Sequence, residues 1–186
     1  PAHYLYIKKR LVSMTAYKSY PQFYVSVDCI IFGFKDGRLK VLIHQRPYEP
    51  GMGELSLIGG FVQTDESVDA SAKRILKEFT GLDNVYMQQL ATYGEIERDP
   101  GERVISIVYY ALINVNNYDE TLSKIHNAKW WDVDNLPTLC FDHNDMVQKA
   151  RRVVSETIKN EPIGSNLLPQ YFDTLQIQID EQKTLT

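Results

Sequence analysis

Residues 59–82 read GGFVQTDESVDASAKRILKEFTGL. A glycine pair closes an apolar stretch and a polar run follows. Apolar side chains then recur at Val68, Ala72, Ile75, Leu76 and Phe79, the spacing of one buried helix face. Thr64, Asp65 and Ser67 offer oxygens to the unpaired N–H groups of a helix start. Gly81 suits the left-handed residue that ends a helix. Glycines at such a strand end permit close backbone approach by a ligand phosphate. Carboxylates spaced three and four apart on the following helix share one face. A triangle of that kind suits Mg2+, a hard cation that takes a few carboxylates and keeps water for substrate phosphates.

Working outward, FYVSVDCIIFGF (Phe23–Phe34) is β-branched and aromatic and predicts a strand. KDGR supplies an Asp-Gly turn and LKVLIHQRP (39–47) the return strand of a hairpin. After the Pro/Gly loop YEPGMGE, ELSLIGGFV is a short strand ending on Gly59-Gly60. VYMQQLATYGEI and RVISIVYYALINV read as two strands parted by the polar loop ERDPGE. AKWWDVDNLP brings a last short strand, where Trp130 and Trp131 point to opposite faces, one to the core and one free for a partner. FDHNDMVQKARRVVSETIKN is an amphipathic helix with Val147, Ala150, Val153 and Val154 inward. This order predicts a mixed α/β domain over residues 21–160, not the regular alternation of a doubly wound sheet. Residues 1–20 read as a Tyr- and Lys-rich arm, and 161–186 as a linker and tail.

The chain has 186 residues, a net charge of −4 and a 44% apolar fraction, enough for one core and without a global basic field for nucleic acid. No run approaches the roughly 18 apolar residues of a membrane span. Cys29 and Cys140 lie in apolar steps without metal spacing, so they read as core thiols of a reducing, cytoplasmic compartment. The four histidines, His3, His44, His126 and His143, show no ligand spacing. His44 reads as a pocket residue or an ordinary polar strand position.

The segment resembles the Nudix (MutT-like) box, G-x5-E-x7-R-E-U-x-E-E-x-G-U with U a bulky aliphatic residue. Gly60, Glu66, Arg74, Leu76, Glu78, Gly81 and Leu82 match over 23 residues. GELSLIGGFV, which contains Gly59, Gly60 and Phe61, is similar to the family's G-x-W-x-L-P-G-G-F-V, and Arg46 ends the second strand as an Arg often does in such domains. The resemblance implies a Nudix fold, a mixed β-sheet sandwiched between helices. It also implies a ligand near Arg46, Gly59, Gly60, Phe61 and Arg74. Arg98, in ERDPGERV, resembles a loop that approaches substrate in ADP-ribose-type relatives, or is a simple turn.

Two positions of the box depart. The family's metal triangle is the Glu after the Arg plus the Glu pair, and here its corners are Ile75, Glu78 and Phe79. One carboxylate of three survives, so Glu78 is at most a weak metal ligand. Glu66 and Glu78 are the remnant catalytic candidates, with Mg2+ as cofactor only if the domain hydrolyses. Beside this stand plainer readings. Arg74 and Glu78, at i and i+4, would form a local ion pair; Glu66 would serve the helix N-terminus. The resemblance adds that the matching Arg and first Glu brace the loop and helix.

Asn166-Leu167-Leu168-Pro169-Gln170-Tyr171-Phe172, with the helix before it, resembles the junction of Nudix-related transcription regulators of the NrtR and AraR types. These sense ADP-ribose or a sugar and bind operators as dimers through a winged helix, most of which has no residues here. The resemblance therefore implies a sensor of a sugar, sugar phosphate or ADP-ribose-like nucleotide, a homodimer, and DNA contact only through that module. The other readings are a Mg2+-dependent hydrolase of ADP-ribose or nucleoside-diphosphate sugars, and an interaction domain without a small ligand.

Overall fold

The computed structural model describes residues 17–35, 38–83, 85–113, 115 and 120–160. The Asp36-Gly37 turn, most of the N-terminal arm, and the tail after residue 160 lie outside the described residues.

Strand β1 (Tyr24–Lys35) is the spine of a seven-stranded mixed sheet. One edge pairs in parallel with β6 (Val104–Ile113), from Tyr24 opposite Val104 to Gly33 opposite Ile113. The other edge is shared. Its first half pairs with β4 (Ile58–Phe61) and its second half with β2 (Arg38–Gln45), both antiparallel. β2 continues past β1 to pair with β3 (Leu55–Ser56), its other edge pairs with β7 (Ala128–Asp132), and β5 (Met87–Tyr93) flanks β6.

The central strands are apolar on both faces because both faces are covered. Alternation along β1 sends Ile30 and Phe32 to one core and Val27, Cys29 and Ile31 to the other. Helix α1 (Val68–Thr80) covers the second core with Ala72, Ile75, Leu76 and Phe79. Ser67 caps its start, accepting from the Ala70 N–H at 3.1 Å, and Gly81 ends it at φ 73° with its N–H on the Lys77 carbonyl. A short helix α2 (Glu120–Ile125) and a 3-10 turn (Val133–Asn135) bracket β7. Helix α3 (His143–Asn160) covers the first core with Met146, Val147, Ala150 and Val154. The sheet between helices is thus the layered arrangement that the sequence implied.

The tryptophans correct one expectation. Trp131 packs against the first core and Trp130 against the second, so both serve a core. Opposite faces of β7 are both inner faces here, because the sheet is covered on both sides. The cysteines are buried and free, as core thiols are, and burial pushes the Cys29 thiol far up. Among the described residues no helix is long and apolar enough to cross a membrane.

Candidate functional site

A cleft of about 560 Å³ opens where the ends of β2 and β4 meet one face of α1 and the α2–β7 loop. It brings together Arg46, Gly59, Gly60, Phe61, Arg74 and Glu78, six of the residues singled out in the sequence. Arg98 and Asp28 lie beyond the β4 wall, lining a smaller recess of about 50 Å³ that shares Arg46, Gly59, Gly60 and Phe61 with the cleft.

The glycine pair owes its place to packing as much as to any ligand. A Cβ on Gly59 would stand 2.7 Å from the Val27 carbonyl oxygen and closer still to the Asp28 carboxylate. A Cβ on Gly60 would meet the Ile75 side chain at 3.4 Å, an ordinary contact. β4 therefore lies tight against β1, and its backbone becomes the floor of the cleft.

Arg74 does not pair with Glu78. Its guanidinium forms a two-pronged bond with Glu66, Nε to Oε2 at 2.9 Å and Nη2 to Oε1 at 2.7 Å. It also donates to the Phe61 carbonyl at 3.3 Å and to the Ser71 hydroxyl. Glu66 lies just before the capping serine rather than in the first helical turn, and accepts the Gln63 N–H at 2.9 Å. Planar guanidinium and carboxylate meet here at two points, the strong form of such a pair. The Arg74 bond, followed by the Gln63 N–H, holds the Glu66 carboxyl at about 2, well below its ordinary 4.5. Arg74 and Glu66 thus clamp the loop between β4 and α1.

Arg46 is placed differently. Its Nε donates to the Pro50 carbonyl at 2.8 Å, and its guanidinium lies 5.0 Å from the Tyr48 ring centroid and 4.9 Å from that of Phe141. No ion pair holds it among the described residues. A fixed cation without a carboxylate, at the lip of a cleft, is suited to an anionic ligand group.

Arg98 is buried and committed. It forks onto Asp142 at 2.8 and 2.7 Å and stands 3.8 Å from Asp28. Asp28 also accepts the Ser106 hydroxyl and lies 3.8 Å from His143 Nε2. His143 Nδ1 accepts the Leu57 N–H at 3.1 Å, so the neutral ring carries its proton on the nitrogen facing Asp28. Burial lowers the affinity of His143 for a second proton. ERDPGERV is therefore more than a turn: its arginine anchors the start of α3 beneath the cleft floor. Asp28 was missed in the sequence. A lone acid inside the apolar run VSVDCII was the available signal, since a buried strand carboxylate needs partners.

His44 lines both cavities. Burial, then the nearby Arg46 charge, lowers its pKa from 6.5 to about 4, so it is neutral near pH 7. Phe79 lies beside it, 5.4 Å between centroids and edge-on, and stacks on His126 at 4.2 Å. His126, on the loop after α2, carried no motif in the sequence, and α2 itself was not expected.

Mg2+ is implied by the resemblance, and the donor set does not fit it. Ile75 and Phe79 are 2% and 6% exposed within the second core, and Glu66 is bound to Arg74. Asp69 accepts the Tyr109 hydroxyl. Glu78 is exposed at the cleft. Among the described residues no three His, Cys, Asp or Glu side chains gather to hold a metal. One carboxylate flanked by two apolar side chains is a poor site for an ion that dehydrates reluctantly.

The model of the NUDIX domain family matches residues 22–155. An ADPR responsive transcriptional repressor, NtrR, of Acinetobacter baylyi is 31% identical over 163 residues, 86% of this chain and 65% of the repressor. An ADP-ribose pyrophosphatase of Methanocaldococcus jannaschii is 35% identical over 146 residues, 78% of this chain and 82% of the enzyme. NrtR of Shewanella oneidensis has been solved with a 27mer DNA (TM-score 0.66, 31% identity, 72% of this chain and 63% of that one). Its NUDIX domain has been solved with ADP ribose (TM-score 0.62, 30% identity, 74% and 92%). This chain spans just under two thirds of the length of the repressor and of the DNA-bound NrtR.

Proposed function

The chain belongs to the NUDIX domain family, and on that premise we propose that it is the effector-sensing part of a transcription regulator, binding an ADP-ribose-like ligand in its cleft without hydrolysing it. The observation that carries this reading is the replacement of metal-holding carboxylates by core side chains, beside a cleft that keeps its glycine floor and its arginines. Arg46 takes the phosphate charge. Gly59 and Gly60 let the ligand approach the backbone, Phe61 forms the rim, and Arg74 holds the Phe61 carbonyl and the loop. Arg98 acts from beneath, by fixing Asp142 and so the start of α3. The likeness to an ADPR responsive repressor and to an ADP-ribose-bound NUDIX domain favours the nucleotide over a plain sugar. In this reading the protein works as a homodimer and reaches operator DNA through a winged helix whose start Asn166–Phe172 resembles.

A second reading is hydrolysis of ADP-ribose with a reduced metal set. It is favoured by the 35% identity to a pyrophosphatase and by Glu78 at the cleft. One experiment separates the two. Incubation with ADP-ribose and Mg2+ or Mn2+ is expected to release no AMP, while ADP-ribose raises the melting temperature, because a ligand that binds only the native state stabilises it. Metal-dependent AMP release that disappears in Glu78→Gln would overturn the sensor reading.

A further inference from the structure

The wall of the cleft at the end of α1 is aromatic. Phe79 stacks on His126 with ring centroids 4.2 Å apart and planes at 30°, and His44 meets Phe79 edge-on at 90°. Ile125, 70% exposed, continues this apolar lip. The backbone presets the position of His126. Its N–H donates to the Leu122 carbonyl, and the next residue, Asn127, adopts a left-handed φ of 51°. The Asn127 side chain donates to Gln45 Oε1 at 2.7 Å, and the Gln45 N–H donates back to the Asn127 carbonyl. The α2–β7 loop is thereby fastened to the end of β2, and the imidazole is ordered before any ligand arrives. That lowers the entropy cost of using it as a contact surface.

Phe79 occupies a corner of the family's metal triangle, and its ring is the support on which His126 rests. We propose that this Phe79–His126 stack is a ring-binding wall standing where the metal would be: the ligand lays a ring face, of sugar or base, against His126 while Arg46 takes its phosphate charge, so binding needs no divalent cation. This rests on the reading of the cleft as the site for an ADP-ribose-like ligand. A π-face accepts a base by stacking, or the C–H face of a sugar by dispersion. The unpaired guanidinium supplies the charge that Mg2+ would otherwise bring to a phosphate.

Titration calorimetry of the full chain with ADP-ribose, in EDTA and in MgCl2, tests the proposal. The affinity is expected to agree within about twofold between the two buffers. His126→Ala is expected to weaken binding about tenfold or more, the usual effect of removing a stacking partner. His126→Phe, which keeps a flat ring, should restore most of it, and circular dichroism melts show whether each variant is folded. AMP and ribose 5-phosphate tell the ring apart: a loss shared with AMP but not with ribose 5-phosphate assigns the base to the wall, and a loss shared with ribose 5-phosphate assigns the sugar. Binding that vanishes in EDTA, or a His126→Ala protein that binds all three as wild type does, would overturn the wall while leaving the sensor reading intact. A wild-type protein that binds none of the three would overturn the sensor reading, and the wall with it.

Discussion

Glu66 and Arg74 show how much a single carboxylate depends on where its partner stands. The two are eight positions apart, on a loop and a helix, and the fork geometry joins them rather than Arg74 and Glu78. The Glu66 carboxyl is held at about 2 in the folded protein against an ordinary 4.5. A depressed folded value means that the unfolded chain binds the proton more readily. The contribution is therefore full above about pH 4.5 and is lost as pH falls toward about 2. In urea titrations, wild type is expected to exceed Glu66→Gln in midpoint near pH 6, with the gap narrowing between pH 4.5 and pH 2.5. A gap that stays constant through that window would show that Glu66 acts by shape alone. His44 and His126 make the complementary point: neither had a spacing to announce it, and both meet, at the cleft, a phenylalanine that the sequence marked only as a departure.

At the scale of elements, the strand–loop–helix unit from β4 to α1 sets the floor and one wall of the cleft. Two neighbouring glycines carry different duties in it. Gly59 faces the Val27 carbonyl and the Asp28 carboxylate at distances that leave no room for a methyl group, whereas Gly60 faces the movable end of Ile75. Gly59→Ala is expected to cost about 1–3 kcal/mol of stability in urea unfolding, because the strand pair must part to admit it. Gly60→Ala is expected to cost well under that, and to show its effect in ligand affinity instead. Equal losses of stability in both would mean that β4 is not pressed onto β1 as described. The start of α3 belongs to the same unit. The Leu57 N–H bonds His143, the Cys140 N–H bonds the Leu55 carbonyl, and Arg98 holds Asp142, so the helix that leads to the C-terminal tail is stitched directly to the cleft floor.

For the whole molecule, the sheet covered on both faces explains why the altered box cannot simply be reverted. Ile75 and Phe79 are members of the core between α1 and the sheet. Ile75→Glu with Phe79→Glu would bring carboxylates to positions 2% and 6% exposed. The expected loss is about 3 kcal/mol or more, read from urea midpoints, since apolar contacts vanish and charge is buried. A double variant as stable as wild type would show that these positions tolerate charge, and one restored to full stability by Mg2+ would show that the corner is still a metal site. Much of this architecture was legible in the chain. The apolar runs of β1 and β6, the 3.6-residue period of α1 and α3, and the caps Ser67 and Gly81 are local signals, set by which side chains a strand or helix must hide and how its ends are closed. The spacing from Gly60 to Leu82 likewise fixed the family, because those residues act within one continuous unit. Partners across the sheet were not legible. Asp142 for Arg98, both tryptophans in cores, and His126 on Phe79 follow from which strands meet and at what register. That choice is made by burial over the whole sheet and leaves no trace in the separation of residues along the chain.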